Sequence, residues 1–204
     1  FHRAAFQPDP DTGQSFLDRV LAESADYAVR VQDELKELVF ERVVPLLVQG
    51  IVAWRKAEEG RRAETPETLA ALHQSTLTLL YRLLFLLYAE ARDLLPVRDE
   101  RGYYPVSLTH LRREVADRKD RGVTLSERST DLWDDLTNLF RIVAKGDPSL
   151  NVPIYNGGLF KDAPGDGEIP LSALKIADAY LGEAIDLLAR RDDKASGRRV
   201  FIDY

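Results

Sequence analysis

The longest apolar run in the chain is Leu79 to Ala89, LLYRLLFLLYA, broken only by Arg82. A helix that is apolar on every face is one that its neighbours bury on all sides. Signals at both ends frame it. Thr65 is suited to cap the first turn, because its hydroxyl can accept a bond from an orphan N–H. Pro66 fits the first helical position, where its missing N–H costs nothing. Glu67 places negative charge at the positive end of the helix dipole. Pro96 pushes the residue before it out of the α region. The pattern predicts a central helix over about residues 66–94. A membrane span needs about 20 apolar residues, and the polar His73, Gln74, Ser75 and Thr76 come just before the run, so no membrane partner is expected.

Other helices must supply the surroundings. Residues 1–14 show no period, and Pro8, Asp9, Pro10, Asp11 and Gly13 mark a linker. Ser15, with Asp18 in a capping-box position, opens a stripe of Leu17, Leu21, Ser24, Ala28, Val31, Leu35 and Leu38 at helical spacing. The pattern continues through Val43, Val44, Leu46, Leu47, Ile51, Val52 and Trp54. Pro45 removes a donor and must break or kink it, so two helices or one bent helix are expected over 15–59, closed by Gly60. After the predicted central helix, Ser107 caps a short Arg-rich helix through Asp120. Ser129 or Thr130 caps another over 131–145, whose apolar set is Leu132, Trp133, Leu136, Leu139, Phe140 and Val143. Lys145 favours the dipole at its end and Gly146 stops it. The segment NVPIYNGGLF, residues 151–160, puts apolar residues on both sides of a strong turn signal. It reads as an ordered loop or tiny hairpin that packs Ile154, Tyr155, Leu159 and Phe160 onto the bundle. A last helix is expected over about 171–190. A charged stretch follows, and then a strand-like ending, RRVFIDY, with no later segment to pair with. The expected fold class is therefore all-α, a bundle of about six helices joined by short, antiparallel connections.

Composition narrows the function classes. The 204 residues carry a net charge of −6, which is unlike a dedicated nucleic-acid-binding domain, although it permits one basic stripe. The chain has no Cys, which excludes disulfides, thiolate chemistry and cysteine-based zinc sites. His2, His73 and His110 stand far apart without ligand spacing, so no metal is expected. No signal peptide or transmembrane segment is read, which points to the cytoplasm. The chain begins with Phe1 and contains no Met, and both ends read as cuts within a longer polypeptide.

Motifs for chemistry are sparse. The sequence lacks a phosphate-binding glycine loop, GxGxxG, GxSxG and HExxH. Arg82, inside the most apolar helix, needs a carboxylate or carbonyl partner. Asn156-Gly157-Gly158 could turn backbone N–H groups toward an anion, though a tight packed turn explains it too. Arg112, Arg113, Arg118, Lys119 and Arg121 fall within ten residues and are candidates for DNA-backbone contact. Glu114, Asp117 and Asp120 are interleaved with them.

Three segments together resemble a known family. They are YRLLFLLYAEARDLLP (81–96), Leu132-Trp133 through Leu139-Phe140, and VPIYNGGLF (152–160). Their order and spacing are similar to the helical region of large bacterial restriction–modification enzymes. These are single-chain type II enzymes that fuse nuclease and methyltransferase, and related phage-defence adenine methyltransferases of BREX and DISARM systems. The resemblance covers roughly residues 15–204. It implies a parent enzyme that transfers a methyl group from S-adenosylmethionine to adenine N6 in DNA. It further implies a division into a linker (1–14), a helical connector domain (15–190) and a segment (191–204) leading into a methyltransferase domain. The Asn-Pro-Pro-Tyr/Phe motif, a cofactor loop and the nuclease pattern are absent from this sequence. The resemblance therefore assigns the segment no catalytic residue and no cofactor of its own. Its partners would be the flanking nuclease and methyltransferase domains, with DNA reached through the parent. Two other classes stay open: a stand-alone helical module that binds a protein, and a small-molecule enzyme with its pocket around Arg82 and Tyr155.

Overall fold

The computed structural model describes residues 36–59, 65–99, 101–155, 158–161, 169–193 and 195–204. The linker 1–14, the helix predicted from Ser15 as far as residue 35, the stop at Gly60 and Asn156-Gly157 lie outside the described residues. The chain divides into two units after Glu41, and the second, Arg42–Tyr204, holds the architecture that follows. It is helical, with one small two-stranded sheet. The helices are α1 (Val44–Glu59), α2 (Pro66–Ala91), α3 (Leu108–Asp120), α4 (Asp131–Lys145) and α5 (Asp178–Ala189). The break expected near Pro45 takes the form of a change in helix type, with Leu38–Val43 π-helical before α1 begins.

The caps read from sequence act at two helices. Thr65 accepts a bond from the N–H of Thr68 at 3.2 Å, with Pro66 opening α2. Ser107 accepts one from the N–H of His110 at 3.0 Å, at the start of α3. At α4 Thr130 occupies the cap position but makes no side-chain cap bond, and the other expected cap, Ser129, contributes only a long bond, its hydroxyl accepting the N–H of Asp131 at 3.3 Å. Asp178, from α5, accepts the N–H of Leu132 at 3.0 Å and the Ser129 hydroxyl at 2.6 Å. Helix α3 receives the same help from α2. The two oxygens of Glu90 accept the N–H groups of Leu108 at 2.9 Å and Thr109 at 2.6 Å. A carboxylate at a helix N-terminus satisfies orphan donors and meets the positive end of the dipole. Here each carboxylate does so from a different helix, which ties two helices together at one point.

Sequence pattern gave the central place to residues 66–94, whereas the structure centres on α5. Nine of its 12 residues are buried, and it packs against α1, α2, α3 and α4. Small residues allow this close approach. A Cβ on Gly50 of α1 would stand 2.7 Å from both Ile176 and Tyr180, and one on Gly182 would run into the Leu125 side chain. Helix α2 is a flank of the bundle. Leu72, Leu79, Leu80, Leu83, Leu86 and Leu87 are buried, while Tyr81 is 54% and Tyr88 49% exposed. These tyrosines stand seven residues apart and share one face, so the helix is covered on most of its circumference but not all. Among the described residues α2 is the helix long and apolar enough to cross a membrane by length and composition. It ends three residues before its expected limit. Asp93 takes a left-handed φ of 53°, and the N–H groups of Leu94 and Leu95 both return to the Ala89 carbonyl.

Two further expectations are corrected at the C-terminal end. The last helix begins at Asp178, not near 171. Leu171–Ala173 forms a single 3-10 turn, and the chain is then extended with Leu174, Ile176 and Ala177 buried. The first N–H groups of α5 are claimed by the segment before α4, Asp178 by the Ser129 carbonyl and Ala179 by that of Ser126. The terminal segment does have a strand partner. Strand β1 (Arg190–Asp193) continues directly from α5 and pairs antiparallel with β2 (Arg198–Phe201). Gly197 supplies the positive φ, and the Asp193 carboxylate accepts the N–H groups of Ala195 and Ser196 within the turn.

Candidate functional site

The three segments that carry the family resemblance meet in one aromatic cluster. Phe85 of α2 stands edge-on to Tyr155 at 5.9 Å and to Phe160 at 5.4 Å, and Phe160 meets Phe140 of α4 at 5.8 Å. Such edge-to-face pairs stabilise beyond their area burial. Arg82 holds the loop against the helices. Its Nε donates to the Leu159 carbonyl at 2.8 Å and its Nη2 to that of Lys161 at 2.9 Å. The guanidinium lies 5.1 Å from the Phe140 ring centre and 5.6 Å from that of Phe160. Buried Arg82 therefore reads the backbone of a loop 77 and 79 residues away. Tyr155 is held by its hydroxyl, which donates to the Leu94 carbonyl at 2.5 Å. The loop expectation is met at Phe160, which is buried, and fails at Ile154, which is 67% exposed.

Beside this cluster opens a cavity of about 620 Å³. Phe140, Phe160, Leu171 and Ala144 give it apolar walls, Thr137 and Ser172 add hydroxyls, and Arg82, Arg141, Lys145 and Lys161 bring positive charge. No described lining residue is acidic. Arg141 donates to Asn138 at 2.7 Å. Among the described residues Lys145 and Lys161 have no ion-pair partner. Sequence reading gave Lys145 only a dipole role and passed over Arg141 and Lys161. Arg141 and Lys145 are four apart on one helix and so share a face. Lys161 joins them only through the tertiary fold, which no local pattern reveals.

The five cations singled out in sequence are dispersed. Arg118 pairs with Glu114 at 2.5 Å, and Arg121 pairs with Asp117. Lys119 turns to Glu183 at 2.5 Å and Asp186 at 2.6 Å. Arg113 donates to the Tyr104 hydroxyl at 3.3 Å and lies over its ring. Arg112 points inward. Its Nε and Nη1 are buried without a hydrogen-bond partner among the described residues, and its guanidinium rests 5.1 Å from the Phe201 ring centre. Burial lowers its pKa, and the negative charge of Glu90 opposes that shift. Each of the other four can meet a phosphate only by leaving or sharing a partner it already has.

Besides Asp178, the buried carboxylates Glu90 and Asp186 complete the polar interior. Burial raises the pKa of Glu90, against the hydrogen bonds from Thr109, Tyr103 and Leu108. The Tyr103 hydroxyl donates to it at 2.8 Å, and burial together with that negative charge raises the tyrosine pKa in turn. Burial would also raise Asp186, but Arg190 and Lys119, with the charge of Arg199, outweigh it and hold the pKa low. Neither carboxylate lines the basic cavity, so both are placed for structure. Among the described residues no cluster of His, Asp or Glu could hold a metal ion. Comparison of the chain with protein-family models, with curated proteins and with solved structures gave no match.

Proposed function

We propose that this chain is a non-catalytic helical connector within a cytoplasmic DNA adenine-N6 methyltransferase of restriction–modification or phage-defence type. S-adenosylmethionine would serve the parent enzyme, and flanking nuclease and methyltransferase domains would be the connector's partners. One observation carries the reading: the residues behind the resemblance are spent on each other. Phe85, Phe140, Tyr155 and Phe160 pack together, and Arg82 binds loop carbonyls. A motif whose members hold one another in place serves rigidity, and a connector needs rigidity to fix the distance and angle between its neighbours. Any DNA-backbone contact would fall to the exposed cations of α3 and its C-cap, Arg113 and Arg121. Calorimetric titration with S-adenosylmethionine tests the assignment. The expected result is no binding heat, and clear cofactor binding would end the connector reading.

A second reading, a stand-alone helical module that binds a protein, is favoured by the exposure of Tyr81 and Tyr88 on one face of α2. Sequencing the source DNA beyond Tyr204 separates the two. An open frame carrying Asn-Pro-Pro-Tyr or Asn-Pro-Pro-Phe within a few hundred codons supports the connector. An early stop codon supports the module.

A further inference from the structure

The basic cavity has a polarity of its own, with charge at its mouth and aromatic carbon at its floor. Arg141, Lys145 and Lys161 are exposed, whereas Phe140, Phe160 and Leu171 are buried. We propose that this cavity binds a small organic phosphate monoester. Its phosphoryl head is held by Arg141, Lys145 and Lys161, and its planar or apolar body lies against Phe140 and Phe160. The site is independent of the connector reading, because it needs neither a methyl donor nor a flanking domain.

Charge is the first argument. The protein as a whole is acidic, at −6, and several cations on or beside its helices face a carboxylate: Arg118 faces Glu114, Arg121 faces Asp117, and Arg190 faces Asp186 and Asp120. At this cavity the pattern reverses. Three cations share one rim and no described lining residue is acidic. Placement at the C-terminal end of α4 accounts for Arg141 and Lys145 through the helix dipole. It does not account for Lys161, which comes from a different segment. Bringing like charges together costs free energy, and a bound anion recovers it.

Size and donor geometry define the ligand. A cavity of about 620 Å³ suits a small molecule, since such pockets span about 300–1,000 Å³. Three cations match a dianion better than a monoanion. A guanidinium presents two parallel N–H groups to phosphate oxygens, and lysines add point charges. The walls are apolar apart from the hydroxyls of Thr137 and Ser172, so the body presents a flat or apolar face to the rings, with any polar groups turned to these hydroxyls or to the open mouth. Arg82 belongs to the wall, because its donors are directed at Leu159 and Lys161 carbonyls.

Calorimetric titration of the chain with AMP, adenosine and inorganic phosphate tests the proposal. AMP should saturate one site, with adenosine and phosphate each roughly tenfold weaker or more, because each has lost one of the two contacts. The double variant Lys145→Gln/Lys161→Gln alters exposed side chains only and should keep its circular dichroism. Its AMP affinity should fall roughly tenfold or more. Ser172→Trp, which fills the cavity from its exposed rim, should abolish binding without removing a charge. Removing the same charge elsewhere, by Arg118→Gln/Arg121→Gln, should leave binding unchanged. The proposal is overturned by absent AMP binding at millimolar concentration, by affinity that neither cavity variant moves, or by equal losses in the control pair. Phosphate binding as tightly as AMP would overturn the assigned ligand class.

Discussion

Glu90 and Asp186 are both buried carboxylates, yet their surroundings differ in kind. Glu90 is satisfied by neutral donors, namely the Tyr103 hydroxyl and two backbone N–H groups at the start of α3. Asp186 is satisfied by charge. Arg190 donates to it at 2.6 Å, Lys119 lies at 2.6 Å, and Arg199 closes the third side. Neutral donors leave the burial cost of Glu90 partly uncompensated, so its pKa rises, whereas cations overcompensate at Asp186 and its pKa falls. The same chemical group thus stabilises the fold in opposite pH ranges. Its partners decide the sign, and its depth does not.

The largest test of that contrast is Asp186→Asn. It leaves the nearly inaccessible guanidinium of Arg190 with Asp120 alone and removes a shared counter-charge from Lys119 and Arg199. Breaking a buried ion pair from one side costs about 3–5 kcal/mol, and urea denaturation at neutral pH should show a loss near the lower figure. A loss below about 1 kcal/mol would mean that Asp120, Glu183 and Asp192 suffice without it. Glu90→Gln comes next. The amide can accept one α3 N–H through its oxygen, but its NH₂ cannot accept the other, so a loss of about 1–3 kcal/mol is expected.

Titration sharpens the comparison. The folded pKa of Glu90 lies above its unfolded value of about 4.3. Its contribution is therefore full below that pH and lost as pH rises through the raised value. Asp186 contributes above about pH 3.9 and loses its effect as pH falls through its depressed folded value. Stability measured across pH should lose its high-pH decline in Glu90→Gln and part of its acid-side decline in Asp186→Asn. Parallel profiles for both variants would refute the assigned signs. The smallest effect belongs to Ser107→Ala. Loss of a cap costs about 1 kcal/mol, and Glu90 still holds the Leu108 and Thr109 amides. Thermal unfolding should shift by a few degrees, with no change in pH dependence.

What could be read from the sequence was local. Thr65 and Pro66 fixed the start of α2, Ser107 that of α3, and the spacing of Leu132, Trp133, Leu136, Leu139 and Phe140 identified α4. Each of those signals acts within a turn or two of itself. Partners at a distance stayed hidden. Asp178 caps a helix 46 residues earlier, and Glu90 one 18 residues later, while an isolated acidic residue in the sequence announces neither. The central place of α5 was missed for a related reason. Its twelve residues include Asp178, Gly182, Glu183 and Asp186, which cut it into apolar runs shorter than that of α2, and only its neighbours make those positions interior. The basic cavity depends on Lys161 meeting Arg141 and Lys145, which is again a product of folding.

Capping from another helix has a consequence for how the molecule opens. The first amides of an ordinary helix face water and exchange their hydrogens readily, since fraying there disturbs little else. The Leu108, Thr109 and Leu132 amides are bonded to carboxylates on α2 and α5, so α3 and α4 cannot fray at these ends without pulling on a second helix. Their exchange should be as slow as that of mid-helix amides and should follow global unfolding. The start of each helix would then report on the cooperativity of the whole bundle.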